Sequence, residues 1–323
     1  MNDLTPRNPA DLHTSVMLER CVELLAPAAA RPGAHVIDAT LGMGGHTEAL
    51  LERFPELTVI GLDRDTEALE LASARLARFG SRFVPVHAVY DEIDFALGEA
   101  GAQSLDGALY DLGVSSLQLD DAERGFAYAQ DAPLDMRMDQ TRGRTAAEIL
   151  AEEPEGRLRE LFERYGEEPL AGRYARAIVA ARKVSPLERS GQLVDVLQQA
   201  TPAAVLGKRH PAKRVFQALR VEVNGELATL ERAIPAAIDR LNLGGRIVAM
   251  SYQSLEDRIV KRAFQARSRS TAPQGLPVEL PEHRPELKIL TKGAEQATEA
   301  ERAVNPRAIP ARLRAAERVR EVA

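Results

Sequence analysis

The stretch VIDATLGMGGHTEAL, residues 36–50, decides the fold that the rest of the chain has to fit. An apolar run typical of a buried strand ends at an acid, Asp38, and a glycine-rich loop then leads into a helical pattern. A strand that enters a helix through glycines is typical of the first unit of an open α/β sheet that binds a nucleotide or nucleoside. The nature of that ligand is the question that the stretch raises.

Strand and helix patterns alternate from this stretch as far as residue 111. TVIGLD precedes TEALELASARLARF, RFVPVHAVY precedes DEIDFALGEA, and LDGALYDLG closes the series. Strands separated by helices at this spacing predict βαβ units and a parallel, twisted sheet.

The alternation stops after the fourth strand. GRLRELFERYG, EPLAGRYARAIVAARK and SGQLVDVLQQAT all predict helices, and Ser190 is the expected cap of the third. A long helical pattern begins at Ala212, and GGRIVAMSY, residues 244–252, predicts a fifth strand. After Arg267, Pro, Ser and Glu are frequent as far as ELKIL, which predicts loops.

These patterns predict an α/β fold in which one domain is inserted into another. The α/β domain is discontinuous and covers residues 1–119 and 225–323, and the inserted all-helical domain covers residues 120–224.

Composition limits the class of protein further. The 323 residues are 45% hydrophobic and 28% charged, as in globular proteins, and the single cysteine, Cys21, excludes an internal disulfide and fits a reducing compartment, the cytoplasm. No signal peptide and no apolar run near the ~20 residues of a bilayer span are visible, so we expect neither secretion nor membrane insertion. Six scattered histidines lack ligand spacing, so no metal site is predicted.

The glycine loop indicates which ligand is bound. Gly42, Gly44 and Gly45 are present, but Thr47 stands where the dinucleotide fingerprint needs a third glycine, which disfavours a pyrophosphate. Asp63, about 20 residues further on at the end of the second strand, is placed to accept hydrogen bonds from both ribose hydroxyls. S-adenosylmethionine is a nucleoside of this kind without a phosphate. The alternative is that the glycines form only a tight turn and that Asp63 only caps a helix.

A resemblance to a known family starts at DLGVSSLQLDDAERGFAYAQDAPLDMRMD, residues 111–139. Together with HTSVML, DATLGMGGHT, HPAKRVFQALRVEVNGEL, SLEDRIVKRAF and NPRAIPARLRAAER, this segment strongly resembles the MraW-type bacterial 16S rRNA (cytosine-N4) methyltransferases, from about His13 to Arg318. The resemblance implies a Rossmann-like class I methyltransferase sheet with a helical insertion that recognises RNA. It also implies S-adenosylmethionine-dependent N4-methylation of a cytidine in the decoding region of 16S rRNA. The acidic net charge favours rRNA within the small ribosomal subunit over naked rRNA as the substrate, with both left open, and we expect no DNA or membrane partner.

The resemblance also implies which residues contact the cofactor. Carried over by position, these are Gly44, Gly45, His46, Asp63, Tyr90, Asp111 and Gln118. Without the family match, His46 would be a solvent-facing residue at a helix start, and Tyr90 would be a core residue. The chain departs from the family at Tyr252 and Gln253, where a Phe-His pair is common, and at Ile309 and Pro310.

Asp111 is the candidate catalytic residue. The cytosine amine is a poor nucleophile, because its lone pair is delocalised into the ring, and a positioned oxygen that accepts its hydrogens would assist the transfer. The family assigns Asp111 to the cofactor, so both roles stay open. Phe126 and Tyr128 are the nearest candidates to stack on a flipped base, with burial in the helical core as the alternative.

Basic segments are the expected RNA contacts, because the net charge of −6 repels a polyanion at long range. The candidates are Lys208, Arg209, His210, Lys213, Arg214, Arg258, Lys261 and Arg262. Their alternative role is a solvated charged face. The competing functions are a methyltransferase of protein or a small molecule, a non-catalytic RNA-binding or ribosome assembly factor, and, least supported, a nicotinamide oxidoreductase.

Overall fold

The structure is a computed structural model that describes residues 15–207, 209–273 and 280–321. It divides into two compact units, one running to Gly113 and resuming at Leu227, and the other comprising Val114–Glu226. These divisions lie a few residues from the domain borders expected from the sequence. Two predicted features, the start of the family resemblance at His13 and the basic Lys208, lie outside the described residues.

One seven-stranded sheet forms the framework of the first unit. Its strands are β1 (His35–Asp38), β2 (Thr58–Asp63), β3 (Phe83–His87), β4 (Leu105–Asp111), β5 (Leu241–Ser251), β6 (Leu287–Ile289) and β7 (Arg312–Arg318). Their order is β3-β2-β1-β4-β5-β7-β6, with parallel pairing from β3 to β5 and antiparallel pairing of β7 with both neighbours. The predicted α/β fold is confirmed, whereas β6 and β7 were not predicted.

Both faces of the sheet are buried, because successive residues of each central strand belong to different hydrophobic clusters. In β1, Val36 packs into one cluster and Ile37 into the other, and in β2 Val59 and Ile60 divide in the same way. Side chains alternate between the two faces of a strand, so a strand buried on both sides reads as a continuous apolar run.

The α-helices of the described residues follow in chain order. They are α1 (Leu18–Ala29), α2 (Gly45–Arg53), α3 (Thr66–Leu76), α4 (Ile93–Glu99), α5 (Ser116–Asp120), α6 (Ala146–Glu152), α7 (Glu155–Gly166), α8 (Ala171–Arg182), α9 (Ser190–Ala200), α10 (Ala212–Asn224), α11 (Glu226–Arg240), α12 (Ser254–Arg267) and α13 (Glu299–Val304). None of the helices in the described part of the chain has the length and apolar composition that a bilayer span requires.

The second unit has a hydrophobic core of its own. Phe162, Tyr174, Leu193 and Phe216 are buried together, and they come from four different helices, α7 to α10. Among the described residues of this unit, strand pairing is limited to an isolated bridge between Pro133 and Arg189.

Two local predictions were wrong. Ser190 does not cap α9, because its hydroxyl donates to the carbonyl of Gln130 and accepts from the N–H of Ala132. The helical pattern that begins at Ala212 is not continuous, because Gly225 has a φ of 61° and ends α10. Glycine adopts this left-handed conformation without the steric penalty that other residues meet, and α11 begins at the next residue, Glu226.

Candidate functional site

The candidate site lies at the carboxyl ends of the parallel strands. The sheet order reverses at the β1–β4 pair, since the chain moves outward to β3 on one side and to β5 on the other. In open α/β sheets, ligands bind in the crevice at such a reversal. Asp38, Asp63 and Asp111 are the last residues of β1, β2 and β4, and Tyr252 follows β5. We call these four residues and His46 the strand-end cluster.

The loop after β1 supplies an open stretch of backbone. Gly42 has a φ of 51°, and a Cβ added to it would meet only the Thr40 carbonyl oxygen, at 4.0 Å. Its N–H donates to Asp63 Oδ2 at 2.8 Å, which joins the first loop to the end of the second strand. A ligand can therefore approach the Gly42 backbone closely.

Packing accounts for the other two glycines of the loop. A Cβ on Gly45 would lie 2.2 Å from the Ser15 hydroxyl oxygen, and a Cβ on Gly44, whose φ is 78°, would lie 2.9 Å from a Leu76 methyl carbon. Gly44 also immediately precedes α2 in a left-handed conformation. Gly44 therefore needs glycine for its left-handed φ, whether or not a ligand touches it, whereas a side chain at Gly45 would require the Ser15 side chain to move.

Asp63 is a constrained acceptor. Its two carboxylate oxygens accept the N–H groups of Gly42 and Asp65, at 2.8 and 2.9 Å. Burial nevertheless raises the pKa of Asp63 to about 6, which leaves the carboxylate ionised at neutral pH. A buried carboxylate with remaining lone pairs is suited to accept hydrogen bonds from sugar hydroxyls.

Thr47 makes a side-chain hydrogen bond that a glycine at this position could not make. Its hydroxyl donates to Asp38 Oδ2 at 2.7 Å, and Asp38 is only 1% exposed. Burial raises the pKa of the Asp38 carboxyl, and the Thr47 hydroxyl and the Thr40 N–H partly offset this by donating to it. The absent third glycine of the dinucleotide fingerprint is thus explained by a hydrogen bond to the end of β1.

Asp111 lies at the centre of the strand-end cluster. The Tyr252 hydroxyl donates to Asp111 Oδ1 at 2.6 Å, and His46 Nδ1 lies 3.8 Å from Oδ2. The backbone N–H of Asp111 donates to the Thr40 hydroxyl oxygen at 2.6 Å. Burial and the neighbouring Asp111 charge raise the pKa of Tyr252, so it remains a neutral phenol and a hydrogen-bond donor.

His46 does not face solvent. It is 6% exposed, and its Nε2 lies 3.1 Å from the carbonyl oxygen of Val16. A carbonyl only accepts, so Nε2 carries the proton and Nδ1 is left pointing toward Asp111. His46 Nδ1 and Asp111 Oδ2 thus lie side by side, 3.8 Å apart.

The two remaining predicted cofactor residues have different surroundings. Tyr90 is half-buried, lies edge-on to Tyr110 with ring centroids 6.2 Å apart, and has the Arg64 guanidinium 5.8 Å from its ring. Gln118 is buried in the helical unit, where it and Ser115 form a capping box at the start of α5. The structure therefore brings Asp38, His46, Asp63 and Asp111 together and places Gln118 in the other unit.

The candidate RNA-contacting residues differ in their burial and in their partners. Phe126 is buried in the core of the helical unit, which agrees with the alternative that we gave to a base-stacking role. Tyr128 stacks on His210. Arg209 pairs with the buried Glu168 at 2.6 Å, and Arg214 donates to the Glu167 carbonyl. The exposed basic residues are Lys213 on α10 and Arg258, Lys261 and Arg262 on α12.

The sequence did not reveal all the residues of this site. Tyr252 stood out only as a departure from a family motif, and nothing in the sequence pointed to Thr40, whose partner Asp111 is 71 positions away. Within the described ranges, no group of three or more His, Cys, Asp or Glu residues is arranged to hold a metal ion.

Comparisons with known proteins extend these observations. A sequence model described as the MraW methylase family matches residues 10–319. The chain is 64% identical over 310 residues to "Ribosomal RNA small subunit methyltransferase H" of Leifsonia xyli subsp. xyli (strain CTCB07), covering 96% of this chain and 95% of the relative. A relative with the same name from Kocuria rhizophila is 60% identical, with 96% and 95% covered. A solved rRNA methylase from Streptococcus thermophilus is 13% identical, with 95% and 99% covered and a TM-score of 0.44.

Proposed function

Because this chain belongs to the MraW methylase family, we propose that it methylates the exocyclic N4 of a cytidine in the decoding region of 16S rRNA. Family membership confirms the expected class of enzyme, a methyltransferase whose cofactor is S-adenosylmethionine. The name that the relatives carry supports an rRNA of the small ribosomal subunit as the substrate. The strand-end cluster centred on Asp111 is the structural observation that carries the proposal.

The site fits S-adenosylmethionine better than a phosphorylated cofactor. Three carboxylates, Asp38, Asp63 and Asp111, end the central strands, and they would repel a pyrophosphate but attract a sulfonium and an ammonium group. We assign the ribose hydroxyls to Asp63 and the ammonium group to a position beside His46 and Asp111. Tyr90 is the proposed contact of the adenine.

Gly44, Gly45 and Gln118 complete the proposed cofactor-binding set. For the glycines, the proposal is that packing fixes the loop and that the loop backbone then faces the ligand. Gln118 is included on the family resemblance, while its side-chain oxygen also accepts the N–H of Ser115 at 3.1 Å.

Asp111 is proposed to accept a hydrogen bond from the attacking amine. The bound cofactor supplies an activated methyl group, so the protein's task is to position the amine and to localise its lone pair on the nitrogen, out of conjugation with the ring. The Tyr252 hydroxyl donates to Oδ1 at 2.6 Å, which helps to fix the plane of the carboxylate. Positioned proton acceptors of this kind contribute about 10²- to 10⁴-fold.

Replacing Asp111 separates its two proposed roles. Asp111→Asn keeps an oxygen that can accept from Tyr252 but removes the charge, so we expect turnover to fall about 100-fold or more. The dissociation constant of S-adenosylmethionine is measured in parallel by titration calorimetry. If Asp111→Asn keeps the wild-type turnover, Asp111 is not the acceptor of the amine hydrogen. If the variant binds S-adenosylmethionine more weakly but keeps the wild-type turnover at saturating cofactor, Asp111 only contacts the cofactor.

The substrate is tested by labelled methyl transfer. Wild-type protein and labelled S-adenosylmethionine are incubated with small ribosomal subunits lacking the modification, with naked 16S rRNA, with ribosomal protein alone, or without any acceptor. We expect label in RNA, and more of it with assembled subunits than with naked rRNA. Label in protein would favour another substrate, and cofactor binding without label anywhere would favour a non-catalytic assembly factor.

A further inference from the structure

We propose that the exposed ring of His210, in the helical unit, is a stacking platform for an unpaired base of the substrate RNA. The proposal rests on the proposed RNA substrate and names a residue that would bind it. His210 and Tyr128 are stacked, with ring centroids 4.5 Å apart and planes inclined by 24°. Tyr128 is half-buried and His210 is exposed, so Tyr128 covers one face of the imidazole and leaves the other to solvent.

The platform is anchored in the core of its unit. Tyr128 lies edge-on to Phe216, with centroids 5.8 Å apart and planes inclined by 76°. Phe216 is 3% exposed and belongs to the hydrophobic core of the helical unit. Three rings therefore lead from the core to the surface, and the outermost ring is supported from below.

The imidazole is also held in one orientation. His210 Nδ1 accepts the backbone N–H of Ala212 at 3.3 Å, at the first residue of α10. A side chain that is already fixed loses little conformational freedom when a ligand stacks on it. An exposed aromatic ring fixed in this way is suited to binding a planar partner.

The charges beside the ring favour a nucleic acid as that partner. Lys213 is exposed and, among the described residues, forms no ion pair, whereas the neighbouring Arg209 is bound to Glu168. Single-stranded nucleic acid is bound by aromatic rings that stack on bases and by cations that contact the adjoining phosphates. His210 and Lys213 would supply these two contacts within one turn of the chain.

Two substitutions distinguish stacking from the capping role of the same side chain. His210→Asn keeps a side-chain acceptor for the Ala212 N–H but removes the ring, and His210→Phe keeps a ring but removes the acceptor. Both variants and the wild type are assayed for methyl transfer to unmodified small ribosomal subunits, and their thermal unfolding and S-adenosylmethionine affinity are measured alongside.

Stacking predicts that His210→Asn raises the KM for subunits about 5- to 100-fold, with kcat and cofactor affinity unchanged. His210→Phe should stay within about twofold of wild type in KM, even if its unfolding temperature is lower. Lys213→Ala should also raise KM but, unlike His210→Asn, should reduce the salt dependence of binding.

The proposal is overturned if His210→Asn keeps the wild-type KM, or if His210→Phe is impaired as much as His210→Asn. A wild-type enzyme that labels subunits while His210→Asn behaves normally would reject the platform and keep the proposed function. A wild-type protein that neither binds nor labels RNA would reject both.

Discussion

At the residue scale, the phenol of Tyr252 fixes one oxygen of the Asp111 carboxylate. Its hydroxyl donates to Asp111 Oδ1 at 2.6 Å. Hydrogen bonds to a charged acceptor contribute about 1.5–3 kcal/mol, and they favour the ionised form of a carboxyl. This chain therefore holds Asp111 by a contact that phenylalanine does not make.

Tyr252→Phe should lower kcat about 10-fold, because the Asp111 carboxylate loses the donor that fixes its orientation, and a hydrogen bond to a charged group contributes about 1.5–3 kcal/mol. Tyr110→Phe is the matched control, since the hydroxyl of this buried tyrosine lies near the carbonyls of Tyr90 and Ala233 instead. Steady-state kinetics at one pH measures both variants. A kcat for Tyr252→Phe equal to that of the wild type, or equal losses in both variants, would contradict this role.

The proposed contact of Asp63 with the ribose predicts that cofactor affinity depends on pH. Its pKa is raised to about 6, so the carboxyl is ionised at pH 8 and becomes protonated as the pH falls through 6. If the ionised form binds the ribose hydroxyls, the dissociation constant of S-adenosylmethionine should be constant above pH 7. Below pH 6 it should rise by up to about tenfold per pH unit.

Titration calorimetry between pH 5 and 8 measures this dependence, and circular dichroism over the same range checks that the protein stays folded. A dissociation constant that does not change from pH 8 to pH 5 would remove Asp63 from the ribose contact.

Spacing along the sequence predicted some residues of this site and not others. The strand, glycine loop and following acid identified Asp63 because they lie within about 30 residues and follow a known pattern. The contact between Tyr252 and Asp111 joins positions 141 residues apart, and it exists only because β4 and β5 are neighbours in the sheet. No local pattern carries that information.

At the element scale, Gly225 separates two helices that the hydrophobic pattern runs together. Its φ of 61° is unfavourable for any residue with a Cβ, so Gly225→Ala should lower the free energy of unfolding by about 1 kcal/mol or more. Gly156→Ala is the control, because Gly156 lies in α7 with nothing within 4 Å of an added Cβ. That change should raise the free energy of unfolding by about 0.4–1 kcal/mol.

Urea denaturation measures both free energies. If Gly225→Ala is as stable as the wild type, the left-handed conformation between α10 and α11 does not require glycine.

The last strand shows how tertiary contacts override local preference. β7 has the sequence RLRAAER, whose residues are mostly strong helix formers, so its composition does not indicate a strand. In the sheet, Leu313 and Ala315 are buried in one hydrophobic cluster and Ala316 in the other. Arg246 of β5 pairs with Glu317 at 2.7 Å across the antiparallel ladder. Burial between β5 and β6 decides the conformation of this segment.

At the scale of the whole molecule, the order of patterns along the chain predicted the α/β sheet and the long helical segment within it. The borders of the two units, at 113/114 and 226/227, could not be read from the sequence to the residue. Each unit has a buried core of its own, and α11 begins at Glu226, where the second unit ends. Helical periodicity continues across this point, so the hydrophobic pattern does not place this border to the residue.

For the whole molecule, we propose that the sheet unit binds the cofactor at its strand ends, that the helical unit binds RNA, and that the enzyme methylates one base amine. The most direct test is to digest labelled 16S rRNA from wild-type reactions to nucleosides and to separate them by chromatography with mass detection. We expect the labelled methyl group in N4-methylcytidine alone, and much less of it when the enzyme carries Asp111→Asn. Label in a different methylated nucleoside would contradict the proposed chemistry at N4.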